Sequence, residues 1–153
     1  MIAVLQRVNN AAVYADGALS GEIGYGLYIL LGVEKDDSEK DAELLAQKIS
    51  KLRIFSDENG KMNLSVKDID GEVLVVSNFT LNANYAHGNR PDYFSGAAPA
   101  EADRLYEYFK TLMSDKVKKC ASGVFGADMR TEMSTDGPVT IVMNSKVLYT
   151  KKN

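Results

Sequence analysis

Ile2-Ala3-Val4-Leu5-Gln6-Arg7-Val8-Asn9-Asn10-Ala11-Ala12-Val13-Tyr14-Ala15 is rich in β-branched and apolar residues on either side of an asparagine pair. Its two apolar halves, residues 2–8 and 11–15, read as strands with Asn9-Asn10 between them. Asp16-Gly17 is a strong turn signal, residues 18–23 read as a third strand, and Gly24 and Gly26 punctuate the chain before the apolar run 27–33. The chain therefore opens as a meander of four short strands. Asp36, Asp37 and Ser38 then precede a segment in which Ala42, Leu45, Ile49 and Leu52 recur at helical spacing, which predicts a capped amphipathic helix over 39–52. Ile54-Phe55 continues the apolar pattern, Glu58-Asn59-Gly60 makes a turn, and residues 72–79 read as a second buried strand. A polar, aromatic-spiked loop, 82–96, leads to Pro99 and a second helix over 100–113 with Ala102, Leu105, Phe109 and Leu112 on one face. Residues 117–122, 129–134 and 139–143 read as later strands, and Ser145-Lys146 turns the chain into a last one over 147–150. No repeat, low-complexity tract or linker divides this pattern. Residues 1–153 read as one compact α+β domain with a mixed or antiparallel, barrel-like β-sheet and two main amphipathic helices.

With 153 residues, 45% of them hydrophobic and 25% charged, the chain has the make-up of one ordinary soluble domain, able to support a core without covalent staples. The single cysteine, Cys120, allows no internal disulfide, and with His87 as the only other soft ligand no His/Cys zinc site can be built from one chain. Charge arrives at Arg7, too early for a signal peptide, and no apolar run approaches a membrane span, so a cytoplasmic protein is expected. A net charge of −3 argues against broad, charge-driven binding along a nucleic-acid backbone and leaves room for a small local contact with RNA.

His87 is the one side chain with an ordinary pKa near neutrality, so any Ser-His or Cys-His pair must use it; in a polar loop, a solvated histidine is the plain reading. Cys120 beside Lys118 and Lys119 reads either as an activated thiol or, more simply, as a small buried filler. The carboxylate pairs Asp36-Asp37 and Asp57-Glu58 lie in turns, where capping explains them. Gly24-Tyr25-Gly26 falls between strands and lacks the following helix that a dinucleotide-binding loop needs. Ser77-Asn78-Phe79-Thr80 leaves a buried strand just before an irregular loop, where several N–H groups and hydroxyls can converge on a ligand. Gly137-Pro138 by itself reads as an ordinary trans turn.

Taken in order, Ser77-Asn78-Phe79-Thr80-Leu81, Arg90-Pro91, Ala97-Ala98-Pro99, Phe125-Gly126-Ala127-Asp128-Met129 and Asp136-Gly137-Pro138-Val139-Thr140 resemble the D-aminoacyl-tRNA deacylases over nearly the whole chain. The resemblance implies a homodimeric cytoplasmic hydrolase that cleaves the ester joining a D-amino acid, or glycine, to the terminal ribose of a tRNA. Its partners are the aminoacylated 3′ end of tRNA and a second copy of the chain, with no membrane, no DNA, no metal and no organic cofactor. Phe79 and Thr80 are its expected catalytic residues, their backbone N–H groups holding the oxyanion while the substrate's own 2′-hydroxyl assists an attacking water. A Thr80 hydroxyl activated by a folded-back His87 is the alternative. Ser77, Asn78, Gly137 and Pro138 are expected to bind substrate, the last two through a cis peptide that presents its carbonyls to the partner's pocket and leaves no volume for an L side chain.

Two departures from the family's usual motifs stand out: Asn78 replaces a glutamine, and Thr135 replaces an asparagine before Asp136-Gly137-Pro138. They keep open a catalytically weakened relative that binds tRNA 3′ ends; a small-molecule hydrolase built on Ser or Thr with His87 is a third and weaker reading. Lys116, Lys118, Lys119, Arg130, Lys146, Lys151 and Lys152 are the candidate RNA-contacting cations.

Overall fold

A computed structural model describes residues 1–149, so Thr150, Lys151 and Lys152 lie outside it. The strands are β1 (Ile2–Ala15), β2 (Ala18–Ile23), β3 (Gly26–Gly32), β4 (Phe55–Ser56), β5 (Met62–Leu64), β6 (Glu72–Ser77), β7 (Lys119–Ser122) and β8 (Met129–Asn144). The helices are α1 (Glu39–Lys51) and α2 (Pro99–Ser114).

The opening stretch is one strand, not two, and the reason is pairing on both of its sides. β2 and β3 lie end to end along one side of β1 in a shared antiparallel register, with Ala11 opposite Ile23 and Val8 opposite Gly26. β8 covers the other side from Ile2↔Asn144 to Ala15↔Met129. Flanked in this way, Asn9 and Asn10 stay exposed within a continuous strand, and the ladder overrides their poor β propensity.

β8 is likewise one strand where two were expected. Between Val8↔Thr135 and Gln6↔Thr140 it makes an excursion that contains Asp136, Gly137 and Pro138, and the Gly137–Pro138 peptide is cis. Arg7, only 7% exposed, fills the resulting gap. Its Nε lies 3.0 Å from Asp136 Oδ2 and its Nη1 donates to Ile54 O at 2.7 Å. The Tyr25 hydroxyl donates to the same Asp136 oxygen at 2.9 Å.

β3, β6 and β7 run parallel, so the sheet is mixed. β6 is buried on both faces, as parallel strands usually are. Val73 and Val75 pack with the helices, whereas Leu74 and Val76 join Val8, Val13, Ile23 and Tyr28 inside the curl of the sheet. β2 returns toward β7, with the Ser20 hydroxyl donating to Ser122 O at 2.8 Å, and this leaves a nearly closed barrel. The α1 stripe, Ala42, Leu45, Ala46 and Ile49, is fully buried, as are Leu105 and Phe109 on α2. Each such Leu, Ile or Phe contributes about 1.5–3 kcal/mol by leaving water.

Three ends differ from expectation. Pro99 is itself the first residue of α2, where its missing N–H has no helical partner to lose. β6 stops at Ser77, and a 3₁₀ turn, Phe79–Asn82, takes over. Residues expected as a last strand form a second 3₁₀ turn, Ser145–Tyr149. Among the described residues no helix is long and apolar enough to cross a membrane.

That last turn is pinned to α1 through Asp41, which is 4% exposed. Its carboxylate accepts from the Ser145 hydroxyl at 2.6 Å, the Ser38 N–H at 2.9 Å and the Tyr149 hydroxyl at 3.1 Å. Burial alone would raise the Asp41 pKa, but these hydrogen bonds outweigh it and hold the group below its ordinary value. Asp41→Ala is therefore expected to lower stability by about 1–3 kcal/mol near neutral pH in urea unfolding. A carboxyl depressed in the folded state stabilises above its unfolded pKa and stops doing so as pH falls through the folded one. The gap between wild type and variant should accordingly shrink below about pH 4; a gap that widens there would contradict the assignment.

Candidate active site

β6 leaves the sheet at Ser77 and the chain turns at once. Asn78 is extended, at φ −148° and ψ 94°, and its N–H donates to Leu31 O at 2.8 Å, which ties the exit to β3. Its short side chain folds back onto the turn. Oδ1 accepts from the Thr80 N–H at 3.2 Å and from the Thr80 hydroxyl at 2.5 Å. The first N–H groups of a helical turn have no acceptor inside it. Asn78 meets that of Thr80, while the Phe79 N–H has no acceptor among the described residues. Of the two backbone donors expected here, one is open and the other engaged.

Beside this turn lies a pocket of about 500 Å³. Leu31 and Val33 line it from β3 and the residues that follow, and Phe79 and Tyr93 meet in it edge to face at 5.1 Å. Ala97 and Pro99 line it as well, together with Phe125, Gly126 and Met129, so two of the recognisable motifs converge on the turn that carries a third. An apolar wall with a few convergent polar groups is the usual make-up of a small-ligand site. The Tyr106 hydroxyl at its base donates to Val75 O at 3.0 Å, and burial pushes its pKa well above the ordinary phenol value, so it supplies no acid or base near neutrality.

Other candidates stand apart. His87 is exposed in the loop and lines no part of the pocket, so it is not placed to activate Thr80. Burial pushes the Cys120 thiol up to about 11, which removes the activated-thiol reading. Gly137 and Pro138 are exposed and do not reach this chain's own pocket. The basic residues do not gather: Arg130 pairs with Glu132 and lies 4.5 Å over the Tyr14 ring, whereas Lys146 pairs with Glu34 at 3.2 Å. Lys151 and Lys152 lie outside the described residues. Among those described, no three His, Cys, Asp or Glu side chains are grouped to hold a metal.

Asn82 was not foreseen. In sequence it merely opens a polar loop, and nothing there distinguishes it from a solvated asparagine; in the fold it is 5% exposed and lines the pocket.

A family model described as D-Tyr-tRNA(Tyr) deacylase matches residues 4–144. The chain belongs to the D-aminoacyl-tRNA deacylase family. A D-aminoacyl-tRNA deacylase of Caldicellulosiruptor saccharolyticus is 52% identical over 97% of this chain and all of its own length. One from Yersinia enterocolitica is 53% identical over 92% of this chain and 97% of its own. Among solved structures, a c-Myc DNA unwinding element binding protein superposes with a TM-score of 0.85 at 37% identity, covering 94% of this chain and 98% of that one. A probable eukaryotic D-amino acid tRNA deacylase shares the fold, with a TM-score of 0.83 at 12% identity and the same coverage. The role of Asn78 is now concrete: its side-chain oxygen caps its own turn.

Proposed function

We propose that this protein hydrolyses the ester bond of D-aminoacyl-tRNA, and of glycyl-tRNA mischarged on another tRNA, releasing the free amino acid and the tRNA as a proofreading step in the cytoplasm. The observation that carries the reading is the open Phe79 N–H at the rim of a 500 Å³ pocket, within a chain about 50% identical to named deacylases over nearly its full length. A backbone donor aimed where charge develops on an ester carbonyl is what the tetrahedral intermediate requires. Phe79 and Thr80 form the catalytic turn, and Ser77 and Asn78 set its exit from the sheet and bind substrate.

Gly137 and Pro138 act in a partner's pocket. Exposed on β8 and remote from their own chain's site, they have a role in substrate selection only if a two-fold homodimer carries them across. Arg7 and Tyr25, by gripping Asp136, fix the segment from which they project. The carbonyls of the pair stand beside the substrate's Cα, where an L side chain would collide and glycine, with no side chain, is accepted. With only the 3′ end of tRNA engaged, few phosphates need neutralising, and an acidic chain suffices.

One observation favours a second reading. The Thr80 N–H is engaged by Asn78, which weakens the oxyanion site and fits a relative that binds tRNA 3′ ends with little turnover. Incubating the purified protein with matched D- and L-aminoacylated tRNA separates the two. Multiple turnovers on the D ester alone support the deacylase, and binding without turnover supports the second reading. Light scattering on the same sample should give the mass of a dimer, and an active monomer would exclude the cross-subunit role of Gly137 and Pro138.

A further inference from the structure

We infer that the exposed rings of Tyr85 and Phe94, on the loop beside the pocket, form a stacking surface for the unpaired nucleotides that lead to the aminoacylated end of the RNA, an inference that rests on the deacylase reading above. Tyr85 is 81% exposed and Phe94 77%, which makes them the two most exposed large hydrophobic side chains among the described residues. Neither lines the pocket itself. A lone surface ring needs no explanation, whereas a group of them beside a pocket marks an interaction site. Phe79, 66% exposed, and Tyr93 bring this group to four.

The loop, residues 82–96, carries its rings on a fixed backbone. Asn84 and Asp92 face each other in an antiparallel bridge, exchanging N–H···O bonds of 2.8 and 3.0 Å, and Asn84 Nδ2 donates to Asp92 Oδ2 at 3.1 Å. Each of these two side chains also closes a turn around the residue that follows it. Asn84 Oδ1 accepts from the Ala86 N–H at 3.1 Å, and Asp92 Oδ1 accepts from the Phe94 N–H at 3.2 Å. At the base of the loop the Lys35 N–H donates to Ser95 O at 2.9 Å and the Ala97 N–H to Val33 O at 3.0 Å, which ties it to the chain leaving β3. A surface ordered before its ligand arrives loses little freedom on binding.

The bridge also sets where the rings stand. Residues paired in this way have Cα atoms about 5.5 Å apart, so those of Tyr85 and Tyr93 lie within about 13 Å of each other. Tyr93 meets Phe79 edge to face in the pocket, and Phe94 follows Tyr93 in the chain. The two exposed rings therefore extend the aromatic rim of the pocket outward, where a strand with its terminal ester seated in the pocket passes over them. Charge does not supply the grip: residues 82–96 contain one arginine, Arg90, one histidine, His87, and one carboxylate, Asp92. Such a balance holds a polyanion weakly. Unpaired bases offer the other contact, since every base has a flat face that stacks on an aromatic ring whatever its identity.

The chain contains no tryptophan, so Tyr85→Trp and Phe94→Trp each place a single indole on the loop. An RNA hairpin carrying the unpaired ACCA end of a tRNA should quench both indoles, and the same hairpin cut back to a blunt end should not. In kinetics, Tyr85→Ala and Phe94→Ala should each lower the ratio of kcat/KM on D-aminoacyl-tRNA to kcat/KM on the D-aminoacyl ester of adenosine alone, by about 5- to 100-fold, the range for one stacked base. A loop that merely shapes the pocket would lower both values together and leave the ratio unchanged. An unchanged ratio, indoles that ignore the unpaired end, or equal quenching by the blunt hairpin would each overturn the inference. So would a fall to half the wild-type mass in light scattering on either alanine variant, which would make the rings a contact between two copies of the chain. Wild-type protein that turns over no D-aminoacyl-tRNA would instead fail the deacylase reading, and the indole signal then decides the stacking alone.

Discussion

Replacing Phe79 by proline is expected to lower kcat on D-aminoacyl-tRNA by about 10²- to 10³-fold, the usual cost of one lost oxyanion donor. The substitution suits the site unusually well. Proline is tolerated at the first position of a helical turn, and the residue before it must be extended, as Asn78 already is at φ −148° and ψ 94°. The N–H it deletes is the one left open by the turn. Phe79→Ala separates the two parts of the residue: it keeps the N–H, loses the ring packed against Tyr93, and should mainly raise KM. Thr80→Ala should retain substantial turnover, because its hydroxyl is committed to Asn78 and no base lies beside it. Steady-state kinetics with circular dichroism to confirm folding read all three. A complete loss in Thr80→Ala with wild-type kcat in Phe79→Pro would make the hydroxyl the nucleophile and the backbone a bystander.

The largest effect on stability is expected at Gly26. It opens β3 directly opposite Glu72 of β6, and a Cβ built there would lie 1.8 Å from Glu72 O and 2.8 Å from Glu72 N. No rotamer relieves an overlap with backbone, so Gly26→Ala must push β3 off β6 or fail to form the pair. The cost should exceed about 4 kcal/mol, a large part of the 5–15 kcal/mol that holds a typical domain together, and the variant should be mostly unfolded or insoluble. Gly17→Ala is the control. Its φ of +84° disfavours a side chain but nothing lies within 4 Å, so it should cost only about 1–2 kcal/mol in urea unfolding. Equal stabilities for the two variants would show that β3 and β6 do not approach as closely as described.

Local pattern in the sequence carried the elements and missed how they join. The α1 stripe at Ala42, Leu45 and Ile49 placed that helix to within a residue at its end, because helical periodicity is written in neighbouring positions. Asn9-Asn10 and Asp136-Gly137-Pro138 looked like breaks, yet each lies inside a long strand. Their continuity comes from partners more than a hundred residues away, about which local propensity is silent. The turn at Phe79 was visible as a motif, and its chemistry could be anticipated. That Asn78 would engage the Thr80 N–H was not, since one methylene decides whether an amide folds back on its own turn or reaches outward. Asn82 carried no mark at all, because burial of a lone polar residue in a polar loop is settled only by what packs over it.

The pairing of β1 with β8 along its whole length bears on how the chain is made. β1 leaves the ribosome ahead of every strand it pairs with, and β2 and β3 can cover one of its sides within the next twenty residues or so. The other side waits for β8, which is synthesised more than a hundred residues later. Until β8 emerges the nascent chain therefore carries a long strand with one bare edge, rich in valine and alanine and open to pairing with neighbouring nascent chains on the same message. Asn9 and Asn10, exposed at its centre, are poor strand formers, and residues of that kind lower the tendency of a bare apolar edge to add a foreign strand.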